Sequence, residues 1–340
     1  MKTYPIKFSG ISSLILASLV VMQTSYAGPV SETVYYTTYN GGGQDVWKAV
    51  MSYTGNGNMG NGTFSVGVPT NLAVTPGSDG IVMNPNNNQL LIGGQGTGNI
   101  YQVPTSGGSY TTLAAGMGTF EITVDPTGNT VYGGGSEGGS GQFTAVPINP
   151  VGSPTVLNVT GSSNSVTHIT FYSGLPSGTA FYTSTSAGGT FGTINLSTGV
   201  TTAIATGVPY SHGMIFDPFT GDLIMSGGDQ LTQINPNTDA VISSITFAGN
   251  NLDQGSVDGK GHLFWADNNG DLAFIDYSNT GLIGSSANFT SDNFLAYQLD
   301  DLAPIVGEGR TGNTVPEPGT LMLLGMGIAG LLVLRIRGQS

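Results

Sequence analysis

Met214-Ile-Phe-Asp-Pro-Phe-Thr-Gly, then Leu223-Ile-Met-Ser-Gly-Gly, then Leu231-Thr-Gln-Ile-Asn-Pro form a phrase that recurs through this 340-residue chain. An earlier copy reads Ile81-Val-Met-Asn-Pro, Asn88-Gln-Leu-Leu-Ile-Gly-Gly and Asn99-Ile-Tyr-Gln-Val-Pro. The next reads Ile122-Thr-Val-Asp-Pro-Thr-Gly, Thr130-Val-Tyr-Gly-Gly and Phe143-Thr-Ala-Val-Pro. A divergent copy follows as Ile169-Thr-Phe-Tyr, Ala180-Phe-Tyr-Thr-Ser and Phe191-Gly-Thr-Ile-Asn, and the last as Gly255-Ser-Val-Asp-Gly-Lys-Gly, His262-Leu-Phe-Trp-Ala-Asp and Asp271-Leu-Ala-Phe-Ile-Asp. Asn84, Asp125, Tyr172, Asp217 and Asp258 share one repeat position, at intervals of 41, 47, 45 and 41 residues. In Asp-Pro-x-Thr-Gly, Pro fixes φ and Gly takes the positive-φ position of a tight turn between strands. Runs apolar on both faces suit sheets stacked face to face. A period in the low-to-mid forties with about four short strands per unit is the spacing of a β-propeller.

The flanks of the repeats close the count. Residues 33–39, 46–53 and 63–68 read as the second, third and fourth strands of a unit that lacks its first. Residues 297–303, Tyr-Gln-Leu-Asp-Asp-Leu-Ala, read as a first strand without followers. Joining them gives an all-β, six-bladed propeller over residues 33–306, with five or seven blades as the alternative counts. Shared closure removes the free sheet edges that an open array would expose. A two-sheet sandwich is the competing architecture, but it gives no reason for a register kept over five units. In wording and period the repeats resemble the six- and seven-bladed propellers that include NHL-repeat and gluconolactonase-like proteins. That resemblance implies a fold far more than an activity.

Both ends of the chain read as addresses. Lys2 and Lys7 precede the apolar residues 11–22, and Ser25-Tyr26-Ala27 supplies small residues two apart, so residues 1–27 read as a secretory signal peptide cut after Ala27. At the other end Val315-Pro316-Glu317-Pro318 precedes an uncharged run, residues 320–334, that stops against Arg335 and Arg337. Such a run can enter a bilayer as a C-terminal transmembrane helix with its basic end held in the cytoplasm. These three ordered elements in residues 316–340 resemble the PEP-CTERM sorting signal of exopolysaccharide-producing Gram-negative bacteria, with 307–315 as a linker. The resemblance implies a transient inner-membrane anchor, cut by an exosortase near Pro316-Glu317-Pro318. A plain C-terminal anchor is the alternative. The expected partners are the exosortase and the Sec export machinery, with extracellular polysaccharide as a further one. The expected destination is the cell surface or the extracellular space.

Composition narrows the function. The chain has 20 acidic and seven basic residues, a net charge of −13 and no cysteine. Between the two targeting ends only Lys48, Lys260 and Arg310 are basic. So anionic a surface repels nucleic acid, which needs clustered Lys and Arg to release counterions. The absence of cysteine excludes disulfides, a lipoprotein anchor and thiolate chemistry. There is no His-Glu-x-x-His and no phosphate loop. Asp267-Asn-Asn-Gly-Asp271 looks like a calcium loop but has Ser278 at the twelfth position, and Asn269-Gly270 between apolar runs reads better as a hairpin turn.

In a propeller the innermost strand of each blade lines the channel, and the residues entering it rim one mouth. The entries here bring together Gly80, Glu121, His168, Gly213 with His212, and Gln254 with Asp253. Glu121, His168, His212, Asp253 and Gln254 are therefore the candidate ligand-binding residues, suited to a divalent metal or a polar ligand such as a sugar. The alternative is a water-filled channel whose polar groups satisfy one another. No catalytic residue is assigned, and no cofactor is expected apart from a divalent cation that the channel could hold. The expected role is a non-enzymatic binding or structural module. Its rival is a secreted lactonase- or lyase-like enzyme using Glu121 and Asp253 at a channel cation, as the gluconolactonase-like resemblance implies. Trp47, Trp265, Tyr101 and Tyr132 would stack on sugars if exposed, but at alternating strand positions they read as inter-blade core.

Overall fold

The computed structural model describes residues 29–306 apart from 40–44, 55–61, 116–120, 135–140, 164, 185–188 and 207–210. The expected signal peptide with Ala27, and the sorting segment with Val315, Glu317, Arg335 and Arg337, lie outside the described residues. Six sheets form the blades. Blade 1 comprises Ser78–Asn84, Gln89–Gly94, Asn99–Val103 and Thr111–Ala114, and blade 2 Ile122–Val124, Thr130–Gly133, Gln142–Pro147 and Thr155–Asn158. Blade 3 comprises His168–Thr170, Thr179–Ser184, Thr190–Asn195 and Val200–Thr206, with Thr160–Gly161 added in parallel to the last. Blade 4 holds Met214–Asp217, Asp222–Gly227, Gln230–Ile234 and Val241–Thr246; blade 5 holds Leu252–Val257, His262–Asp267, Asp271–Asp276 and Phe289–Phe294.

Blade 6 is assembled from both ends of the described chain. Leu299–Leu302 is its innermost strand and pairs with Val30–Thr38, with Tyr36 opposite Leu302 and Thr38 opposite Leu299. The Tyr39 N–H donates to the Gln298 carbonyl at 3.1 Å and the Ala303 N–H to the Tyr35 carbonyl at 2.9 Å. Asp45–Thr54 follows, and its outer edge is shared between Thr63–Val66 and Thr70–Val74. The innermost strands of blades 6, 1, 2, 3, 4 and 5 neighbour one another in that order and return to blade 6. The ring is closed, as the repeat count requires.

Alternation explains why these strands need neighbours on both sides. In blade 1, Leu90 and Ile92 pack with Val46 and Leu72 of blade 6, whereas Leu91 packs with Val124 and Val131 of blade 2. The layers on the two faces of blade 1 are thus separate apolar seams, and burying one such side chain contributes roughly 2 kcal/mol. The largest seam joins blades 4, 5 and 6, where Phe64 stacks on Phe274 at 4.5 Å and Trp265, Phe264 and Tyr53 are fully buried. Outermost strands such as Val241–Thr246 alternate exposed and half-buried residues, as solvent-facing edges do.

Candidate functional site

The innermost strands bring four of the five sequence candidates into one buried group. Glu121, His168, His212 and Asp253 are between 1% and 8% exposed. His168 Nδ1 lies 3.6 Å from Glu121 Oε2, while its Nε2 lies 3.4 Å from the Thr123 hydroxyl, so blade 2 addresses both ring nitrogens. His212 Nδ1 lies 3.0 Å from Asp253 Oδ1. One ligand atom each from Glu121, His212 and Asp253 falls within 4.8 Å of the others. Gln254 follows Asp253 on the chain, and its side-chain oxygen is buried without a hydrogen-bond partner.

Backbone packing fixes these positions. The Trp265 indole N–H donates to the Asp253 carbonyl at 2.7 Å, tying the channel residue to the core of its own blade. Gly213 passes so close to the next innermost strand that a Cβ there would lie 2.6 Å from the Asp253 carbonyl oxygen. Only glycine fits that approach.

Three further carboxyls join the group: Asp79, Asp300 and Asp301 lie with ligand atoms within 4.8 Å of one another and are at most 5% exposed. Asp300 and Asp301 belong to the closing strand of blade 6, where the Asp301 N–H donates to the Thr37 hydroxyl at 3.2 Å. Their entry position was visible in the sequence, since the same strand had been placed innermost. Asp79 was masked by a register shift between Ser78 and Ile81, which moves the channel-facing residue one place ahead of Gly80.

Five buried carboxyls so close together cannot all ionise unaided. Burial, then the charges of Asp253 and Asp300, push Glu121 well above the usual carboxylate range. Burial followed by Asp301, Glu121 and Asp253 does the same to Asp79. Asp300 rises through burial, Asp79 and Asp301, and Asp301 through burial, Glu121 and Asp253. No Lys or Arg offsets them: among the described residues the only ones are Lys48, which donates to the Thr105 carbonyl at 3.4 Å, and the exposed Lys260. The oxygens of Glu121 and Asp301 are buried, and the two carboxyls share a hydrogen bond with each other, Glu121 also with Asp253. An oxygen-rich donor set with an imidazole beside it fits a divalent cation such as calcium, manganese or zinc.

Other sequence candidates are accounted for elsewhere. Trp265 and Tyr101 are core, Tyr132 is half-buried, and His262 is buried with its Nδ1 2.7 Å from Asp258 Oδ2. Asp267 caps the Asn269-Gly270 turn by accepting the Asn269 N–H at 3.1 Å, which makes that segment a hairpin.

Residues 314–337 match the PEP-CTERM protein-sorting motif. The chain is an exosortase-sorted propeller protein. The motif implies export and processing while anchored in a membrane. Among solved structures, the nidogen/laminin complex contains a chain with 13% identity and a TM-score of 0.57, covering 81% of this chain and 98% of that one. A gluconolactonase from Xanthomonas campestris gives 12% identity and a TM-score of 0.53, covering 74% and 82%. At such identities the likeness shows the fold alone. No curated protein sequence matches the chain.

Proposed function

We propose that this exported propeller is a binding or structural module of the cell surface or extracellular polysaccharide matrix, with a divalent cation held in its channel by Glu121, His212, Asp253, Asp79, Asp300 and Asp301. The observation that carries the cation is the clustering of five buried carboxyls, Glu121 and Asp301 hydrogen-bonded to each other, with no Lys or Arg nearby. Bound there, the cation supplies the positive charge that the chain itself lacks at this place. Its ligands come from blades 1, 2, 4, 5 and 6, so it ties the closing strand to the rest of the ring.

The burial favours a structural ion over a catalytic one. A catalytic metal keeps a coordination position open to substrate, whereas Glu121 is 2% exposed and Asp301 0%. For the same reason the lactonase-like reading is the weaker of the two. Metal analysis of the purified exported protein, followed by calorimetry with calcium, manganese or zinc and then with chelator, tests the proposal. A bound ion at one hundred times its Kd stabilises by about 2.7 kcal/mol. An unchanged melting temperature with all three ions would overturn it, and lactone hydrolysis abolished by chelator would promote the enzyme reading.

A further inference from the structure

A second site lies between blades 5 and 6, with none of the channel carboxyls in its lining. A cavity of about 390 Å³ is lined by Tyr36, Asp45 and Trp47 on one side and Phe294 and Tyr297 on the other. Its floor is one face of the blade 6 sheet. There Thr38 pairs with Asp45 and Tyr36 with Trp47, so alternation puts all four side chains on the same side. The Tyr36 and Trp47 rings are parallel to within 10°, with centroids 6.5 Å apart. The opposite wall is the segment leading into the closing strand, where Phe294 meets Tyr297 edge-on at 5.0 Å. Phe294 is 55% and Tyr297 81% exposed, an aromatic display that the core does not use.

The polar groups select the ligand. The Thr38 hydroxyl is occupied, accepting from the Trp47 indole at 3.3 Å and donating to the Asp45 carbonyl at 3.5 Å. The Asp45 Oδ1 is buried without a hydrogen-bond partner, and so is the Tyr36 hydroxyl. No Lys, Arg or His lines the cavity. A neutral sugar would bring several hydroxyls to a wall offering few partners. A purely apolar ligand would leave the buried Asp45 Oδ1 unanswered. An ammonium group satisfies both walls, pairing with the carboxylate and resting against aromatic faces. The net charge of −13 favours the same sign of ligand.

We infer that this cleft binds a small alkylammonium ion, with Asp45 as counter-ion and Trp47, Phe294 and Tyr297 as its aromatic wall. The test is titration of the exported protein with choline, followed by tryptophan fluorescence and calorimetry. Trp47 reports the site, since the other tryptophan, Trp265, is fully buried. The neutral isostere 3,3-dimethylbutan-1-ol and a hexose serve as the comparison ligands. Choline is expected to saturate the signal and to bind at least about tenfold more tightly than the isostere. Asp45→Asn should remove that preference while leaving the isostere unchanged, and Tyr297→Ala, at a surface position that does not risk the fold, should weaken choline about tenfold. Equal binding of choline and the isostere, tighter binding of the hexose, or a choline affinity indifferent to both substitutions would each overturn the inference.

Discussion

At the repeat position Asp217 and Asp258 each do two jobs. Asp217 closes its turn by accepting the Phe219 and Thr220 N–H groups at 3.0 and 3.2 Å, and it also accepts the Tyr277 hydroxyl of the next blade at 2.9 Å. Asp258 accepts the Lys260 and His262 N–H groups at 2.8 and 3.1 Å, and the Tyr53 hydroxyl of blade 6 at 2.9 Å. Where Tyr172 replaces the acid, the latch reverses, and its hydroxyl donates to Asn237 of blade 4 at 2.9 Å. The turn was legible in Asp-Pro-x-Thr-Gly; the latch was not, because its partners lie 60 and 205 residues away. Removing the hydroxyl with Tyr277→Phe should cost about 1–2 kcal/mol in denaturant unfolding, as it strips a donor from a buried carboxyl. The two latches should respond to pH with opposite signs. Burial pushes Asp217 up despite its donors, so its contribution is full below about pH 4 and is lost as pH rises through its raised pKa. Burial pushes Asp258 up too, but the hydrogen bond and charge of His262, with Lys260 N–H and Tyr53, outweigh it and leave Asp258 lowered. Its contribution is present above about pH 4 and is lost as pH falls through the lowered pKa. Asp276 lies 3.6 Å from His262 Nε2, and Glu32 and Asp276 act with Asp258 on the Tyr53 hydroxyl. Asp258→Ala should therefore cost about 3 kcal/mol at pH 7 and less at pH 3, read from urea midpoints at the two values.

At the scale of the element, the closing strand Leu299–Leu302 is where fold and site meet. Its pairing with Val30–Thr38 was readable from counting strands in each repeat, because an incomplete unit at each end leaves one architecture in which every edge is paired. Its acidic content was readable too, yet Asp300-Asp301 drew no notice as a ligand pair. The five full repeats have no acidic pair at the matching entry, so the repeat pattern does not mark this one. Asp79 was missed for a different reason, since a bulge changes which residue faces the channel and leaves the apolar pattern intact. Replacing both carboxyls, Asp300→Asn with Asp301→Asn, removes buried like charges while keeping the strand. In chelator this variant should melt no lower than the parent, and it should lose most of the gain that calcium gives the parent. A variant stabilised by calcium as strongly as the parent would show that the closing strand does not hold the ion. Deleting residues 297–306 instead opens the ring, exposes two sheet edges and should give aggregation on size-exclusion chromatography.

For the whole molecule, the propeller and the sorting motif occupy different stretches of the chain, and each was legible for its own reason. The blades announce themselves through a periodic turn chemistry that sequence preserves. The motif announces itself through the order of Pro316-Glu317-Pro318, an uncharged run and two arginines, an order set by membrane physics and not by packing. The chain's net charge of −13 disfavours polyanionic partners, and the proposed channel ion and alkylammonium ligand both carry the opposite sign. A processing prediction follows from the same separation. On the expectation that Arg335 and Arg337 keep the basic end of the apolar run in the cytoplasm, the junction at Pro316-Glu317-Pro318 falls on the far side, where a membrane-embedded protease can cut. Protein released from cells should therefore have an intact mass that lacks Arg337 and everything after the junction. Glu317→Ala removes the charge that marks the junction and leaves the propeller untouched, so it should accumulate in the membrane fraction with the full C-terminal mass and an unchanged melting profile. Wild-type protein that still carries Arg337, or a Glu317→Ala protein released at the normal mass, would show that the segment is a permanent anchor or that cutting is directed from elsewhere.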